Sequence, residues 1–137
     1  MRIGRIRTLL FVMLVVAGAS LVAQEAEPSR EMEFGRSYTM YFYRGELGRV
    51  HANFTAKFKE AMSLAKLRDS RREVSLQLGV ETELLGEEIV SKDEFKIYVR
   101  RARFEKFDGI VEVVVAMRED HSIAGFAVRP AATPTDS

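Results

Sequence analysis

The 137-residue chain has room for one domain, and its 47% hydrophobic and 30% charged residues exclude global disorder and collagen-like classes. The formal charge is +1, but without Arg2, Arg5 and Arg7 the remainder holds 18 basic against 20 acidic residues and stands at −2. That balance excludes the clustered basic surplus of a nucleic-acid binder.

Residues 1–23 read as a secretory signal peptide. Met1–Thr8 is basic, Leu9–Val22 is apolar, and Ala17-Gly18-Ala19 and Leu21-Val22-Ala23 offer small residues for cleavage. The apolar run is shorter than the roughly 20 residues that span a bilayer, so no stable membrane anchor is expected after cleavage. The chain has no cysteine and therefore no lipid attachment point. A small exported domain without disulfides points to a bacterial source and a periplasmic or extracellular destination.

Residues 24–30 form a polar lead-in, and a single domain is expected over 31–130. Phe34, Tyr38 and Tyr41/Phe42 recur at helical spacing from Glu31, until Gly45 and Gly48 mark a turn. A second helix is expected from near Arg49, with Val50, Phe54, Phe58 and Ala61 on one face. Ser63 suits an N-cap for a third helix, or for a continuation of the second after a kink, whose Leu64, Leu67, Val74 and Leu78 share a face. Arg68, Asp69, Arg71, Arg72 and Glu73 are expected in water, and Gly79 fits the C′ position.

Strands follow. Thr82–Val90 is a candidate, and Phe95, Ile97 and Val99 alternate with polar residues as in a half-buried strand. Apolar residues resume on the opposite parity at Ala102 and Phe104, which predicts a bulge at Arg100-Arg101. Asp108-Gly109 predicts a hairpin turn, Ile110–Met117 the central strand and Ser122–Arg129 the last. Residues 131–137 read as a disordered polar tail. Helices first and antiparallel strands second give an α+β class, with the N-terminal helices packed on a curved, cone-like sheet of about four strands. Self-association would add burial to so modest a core.

Chemistry-bearing groupings are sparse. His51 and His121 share no ligand spacing, so no metal or other cofactor is expected. His121 reads as a solvated turn residue, and His51 as one at the edge of the buried face. The carboxylate pairs Glu81/Glu83 and Glu87-Glu88 read as solvated surface groups, and no nucleophile motif is present beyond a partnerless Ser63-Leu64-Ala65-Lys66. Arg100, Arg101 and Arg103 read as charges defending an exposed strand. Asn53-Phe54-Thr55 spells a glycosylation sequon but falls within the expected second helix.

Four stretches carry a likeness: Arg44-Gly45-Glu46 after the first helix, Phe54 through Met62-Ser63-Leu64-Ala65-Lys66-Leu67, Gln77-Leu78-Gly79, and Asp120–Phe126 with Arg129-Pro130. Through them the region from about Tyr41 to Pro130 resembles a bacterial domain of unknown function. That domain often precedes α/β-hydrolase or serine-hydrolase modules in exported enzymes and is similar to the nuclear-transport-factor-2-like, or cystatin-like, fold. The resemblance implies a cone whose mouth admits a small ligand. It carries no hydrolase activity, because that belongs to the fused module, and the chain is expected to hold the domain alone.

The expected role is a non-catalytic exported accessory or binding module for a small apolar ligand or an envelope protein. The alternative is a small enzyme of the nuclear-transport-factor-2-like type, an isomerase or hydrolase with its site in the cone. Candidate pocket residues are Tyr38, Tyr41, Phe54, Phe58, Tyr98 and Phe126, with no acid among the inward positions. A buried carboxylate or histidine in an apolar cavity would favour the enzyme.

Overall fold

A computed structural model of the chain describes residues 29–132, so the expected signal peptide, most of the lead-in and residues 133–137 lie outside the described residues. Helices α1 (Arg30–Tyr43), α2 (Leu47–Ala52), α3 (Ala56–Ala61) and α4 (Leu64–Gln77) precede four strands. These are β1 (Glu81–Lys92), β2 (Phe95–Phe104), β3 (Phe107–Met117) and β4 (Ile123–Pro130), in an antiparallel meander of order β1-β2-β3-β4. The class is α+β, with the helices on one face of the sheet. No helix among the described residues is long and apolar enough to cross a membrane.

Helix boundaries follow side-chain capping. Ser29, assigned to the lead-in by its polarity, accepts a hydrogen bond from Met32 N–H, so α1 starts at Arg30 within that expected segment. Ser63 caps α4 through Lys66 N–H, as its position predicts. At Gly79 (φ +74°) the chain turns out of α4 in a left-handed conformation, and a Cβ there would also strike the Glu105 carboxylate.

The expected second helix is broken. Thr55 uses its hydroxyl to cap Phe58 N–H, while its own N–H donates to Ile123 C=O and Asn53 C=O accepts from Ile123 N–H. These bonds outcompete helix continuation and lay Phe54 beside β4 as a short parallel bridge. Asn53 is therefore a C-cap, its amide donating to Arg49 C=O, and not a mid-helix residue.

The sheet corrects the expected parity. Strand β2 pairs with β3 in continuous register from Lys96 to Arg103, so it has no bulge at Arg100-Arg101. Tyr98, Arg100, Ala102 and Phe104 all face the helices, and Phe95, Ile97 and Val99 lie on the other face. In the β1–β2 pair the irregularities fall on β1, between Glu81 and Glu83 and between Leu84 and Gly86; the β2–β3 register shifts only past Arg103, where Asp108 and Gly109 are the extra residues. The β2–β3 turn is Glu105-Lys106 and not Asp108-Gly109, which lie within β3. Tertiary bonds fix it there: Glu105 N–H donates to Val80 C=O and Lys106 N–H to Leu78 C=O. At the other end, Ala131, expected in the tail, still donates to Ile110 C=O.

The core gathers Tyr38, Phe42, Val50, Leu67, Tyr98 and Ile123 with the inward valines of β3. Helix α1 lies so close to β2 that a Cβ on Gly35 would overlap the Tyr98 ring, so glycine at this site sets the helix–sheet spacing.

Candidate functional site

Charge lies beneath the helices, where an apolar parity would have placed a hydrocarbon. Arg100 is 7% exposed. Its Nε and Nη2 donate to the two Glu81 oxygens at 2.9 and 2.8 Å, a bidentate pair. Its Nη1 donates to the Tyr98 hydroxyl at 3.1 Å and to Glu87 at 3.3 Å. Tyr43 O–H donates to Glu81 and Tyr98 O–H to Glu87, each at 2.7 Å, and Arg36 closes the network from α1 with a fork onto Glu87.

Glu81 and Glu87 are therefore structural partners and not solvated ornament, and Arg100 is a central-strand core residue and not an edge defender. The β1 irregularities make this arrangement, because they bring Glu81 opposite Phe104 and Glu87 opposite Arg100 on the inward face.

The electrostatics decide what the network can do. Arg36 holds the Glu87 carboxyl below the usual carboxylate range against the opposing effect of burial. Burial pushes Glu81 up, but the Arg100 and Tyr43 donors outweigh it and leave that carboxyl below its ordinary value. Burial, reinforced by the neighbouring carboxylate, raises both Tyr43 and Tyr98. The acids are ionised and the phenols neutral at physiological pH, with their donors and acceptors engaged. A general acid or base needs a pKa near the working pH, and neither carboxylate has one.

Beside the network, on the β3–β4 side of α4, lies an apolar groove of about 460 Å³. Leu67, Val74 and Leu78 of α4 form one wall, and Phe107, Phe126 and Val128 of the sheet form the other. Phe42 and Met62 contribute to the lining, and Ser70, Glu73 and Gln77 supply its polar positions. On the other side of α4, a smaller hollow of about 320 Å³ is lined by Tyr43, Arg71, Glu81 and Arg100 together with Met40, Val74 and Phe104. Arg71, expected in water, turns inward and donates to the Phe42 and Tyr43 carbonyls at 2.9 and 2.7 Å, tying α4 to the end of α1.

The six candidate pocket residues do not share one cavity. Phe126 lines the apolar groove, while Phe54 and Phe58, 4.3 Å apart between ring centres, line a broader hollow near α3. Tyr38 is buried, with its hydroxyl donating to His121 C=O; Tyr98 is buried in the network; Tyr41 lies under the Arg49 guanidinium. The histidines also differ from expectation. His121 adopts φ +68°, stacks on Phe34 at 4.2 Å and sets Nε2 3.4 Å from Glu31, so it is a half-buried packing residue. His51 tilts against Phe54 with Nε2 buried and without a hydrogen-bond partner. Among the described residues no three His, Asp or Glu side chains gather as metal ligands.

Sequence reasoning missed Glu81, Glu87 and Arg100 as a unit. The signal was present in the shared parity of Arg100 with Tyr98, Ala102 and Phe104, but linking Glu81 and Glu87 to it required the β1–β2 register to be read.

No family model, no curated protein and no solved structure matches this chain.

Proposed function

We propose that this chain is a non-catalytic exported binding module that holds a small apolar molecule in the groove between α4 and the β3–β4 half of the sheet. The groove itself carries the reading: its volume of about 460 Å³ falls within the range of small-molecule sites, and aliphatic and aromatic side chains form both walls. Glu73 and Gln77 would orient a polar end of the ligand.

The saturated network supports the non-catalytic side of this reading. An inward acid is present, contrary to the sequence-based expectation, yet it is ion-paired and ionised where an enzyme of the alternative type needs a free acid or base. Export rests on the basic, apolar and small-residue pattern of residues 1–23.

Titration with a fluorescent alkyl probe tests the site. Saturable binding is expected, and Ser70→Trp, which places an indole in the groove from a half-buried helix position, is expected to abolish it without unfolding the chain. Binding unchanged in Ser70→Trp would remove the groove from consideration.

A further inference from the structure

The two edges of the sheet differ in kind. Strand β1 is interrupted twice, and its exposed Glu83, Glu88 and Lys92 make it a charged, irregular edge of the sort that resists pairing. Strand β4 holds a continuous register with β3 from Gly125 to Pro130, and Arg129 is its one charged residue.

The direction of the free groups on β4 follows from one bond. Ala131 N–H donates to Ile110 C=O, so alternation along the antiparallel pair turns Arg129 and Ala127 toward β3. The backbone N–H and C=O groups of Val128 and Phe126 then point away from the sheet, and among the described residues no hydrogen bond is made to them. Among the described residues only the start of this edge is covered, where Ile123 bonds to Asn53 and Thr55.

From this asymmetry we infer that β4 pairs antiparallel with β4 of a second copy of this chain, forming a two-fold dimer with a continuous sheet. The edge is self-complementary. With the axis at Val128, each Val128 N–H meets the other copy's Val128 C=O, and each Phe126 N–H meets the other copy's Pro130 C=O. An axis at Ala127 would instead bring the second copy's Ala131 against Ile123, whose outward groups are already taken.

On the outer face, Ala127 opposes the second copy's Arg129, which is already held by Glu112 at 3.2 Å, so no like charges meet. Pairing through β4 leaves only the two defended β1 edges outside, and the assembly closes at two copies instead of growing into a fibre. On the helix side, the second copy's Phe126 and Val128 extend the wall of the apolar groove. The inference does not depend on what that groove binds.

Sedimentation and backbone hydrogen exchange on the purified product of the full-length sequence test this pairing. The expected result is a dimer in which the Phe126 and Val128 amides exchange slowly. Ala127 is exposed, so substitutions there leave the core intact. Ala127→Lys faces the second copy's Arg129 and is expected to give a folded monomer with fast exchange at Phe126 and Val128, while Ala127→Glu keeps the dimer. A wild-type chain that is monomeric at all concentrations would overturn the proposal. So would a dimer unaffected by Ala127→Lys whose Phe126 and Val128 amides exchange freely.

Discussion

Arg100 shows how much one buried charge organises. It sits on an inward position of β2 between Tyr98 and Ala102, and it is stable there because two carboxylates and a phenol saturate its guanidinium. Removing it would leave Glu81 and Glu87 buried without their shared partner, so Arg100→Leu is expected to cost about 3–5 kcal/mol in urea unfolding. An unchanged urea midpoint would show that the carboxylates are solvated after all. The same network sets an acid dependence. Both carboxyls have folded pKa values below the unfolded value of about 4.3. Their stabilisation is fully present above that unfolded value and is lost as pH falls through the lower folded values. Urea midpoints measured on acidification should therefore fall, and Glu87→Gln should flatten that fall. None of this was legible residue by residue: in sequence, Glu81 and Glu87 look like the exposed Glu83 and Glu88, and only strand pairing distinguishes them.

At the scale of elements, periodicity and capping were readable where a single residue or a local alternation decided the outcome. Ser63 and Gly79 bound α4 as expected because a hydroxyl cap and a left-handed turn are local. The second helix failed because Thr55 and Asn53 bond to Ile123, a partner far along the chain. The Asp108-Gly109 turn failed for the same reason, since the α4 end holds Glu105 and Lys106 in the turn. Gly35 offers a test in which local and tertiary effects oppose each other. Alanine is favoured over glycine within a helix by about 1 kcal/mol. At Gly35 its methyl would overlap the Tyr98 ring, and such overpacking costs about 1–3 kcal/mol. The tertiary effect wins, so Gly35→Ala is expected to lower the urea midpoint; a raised midpoint would mean that α1 can lift off β2 at little cost.

For the molecule as a whole, the α+β class was legible because helical and alternating patterns occupy separate halves of the chain. The groove was not, since it arises from the distance at which α4 crosses the sheet, and only Phe126 of the expected pocket residues reaches it. The apolar groove and the saturated ion network stand side by side, one suited to holding a ligand and the other without a free proton donor or acceptor. The functional reading therefore depends on an occupant. Native mass spectrometry of the full-length gene product, purified without added ligand, tests it most directly. The binding-module account predicts a retained small apolar molecule that Ser70→Trp no longer carries. A wild-type protein that is always bare, or a retained molecule equally present in Ser70→Trp, would contradict it.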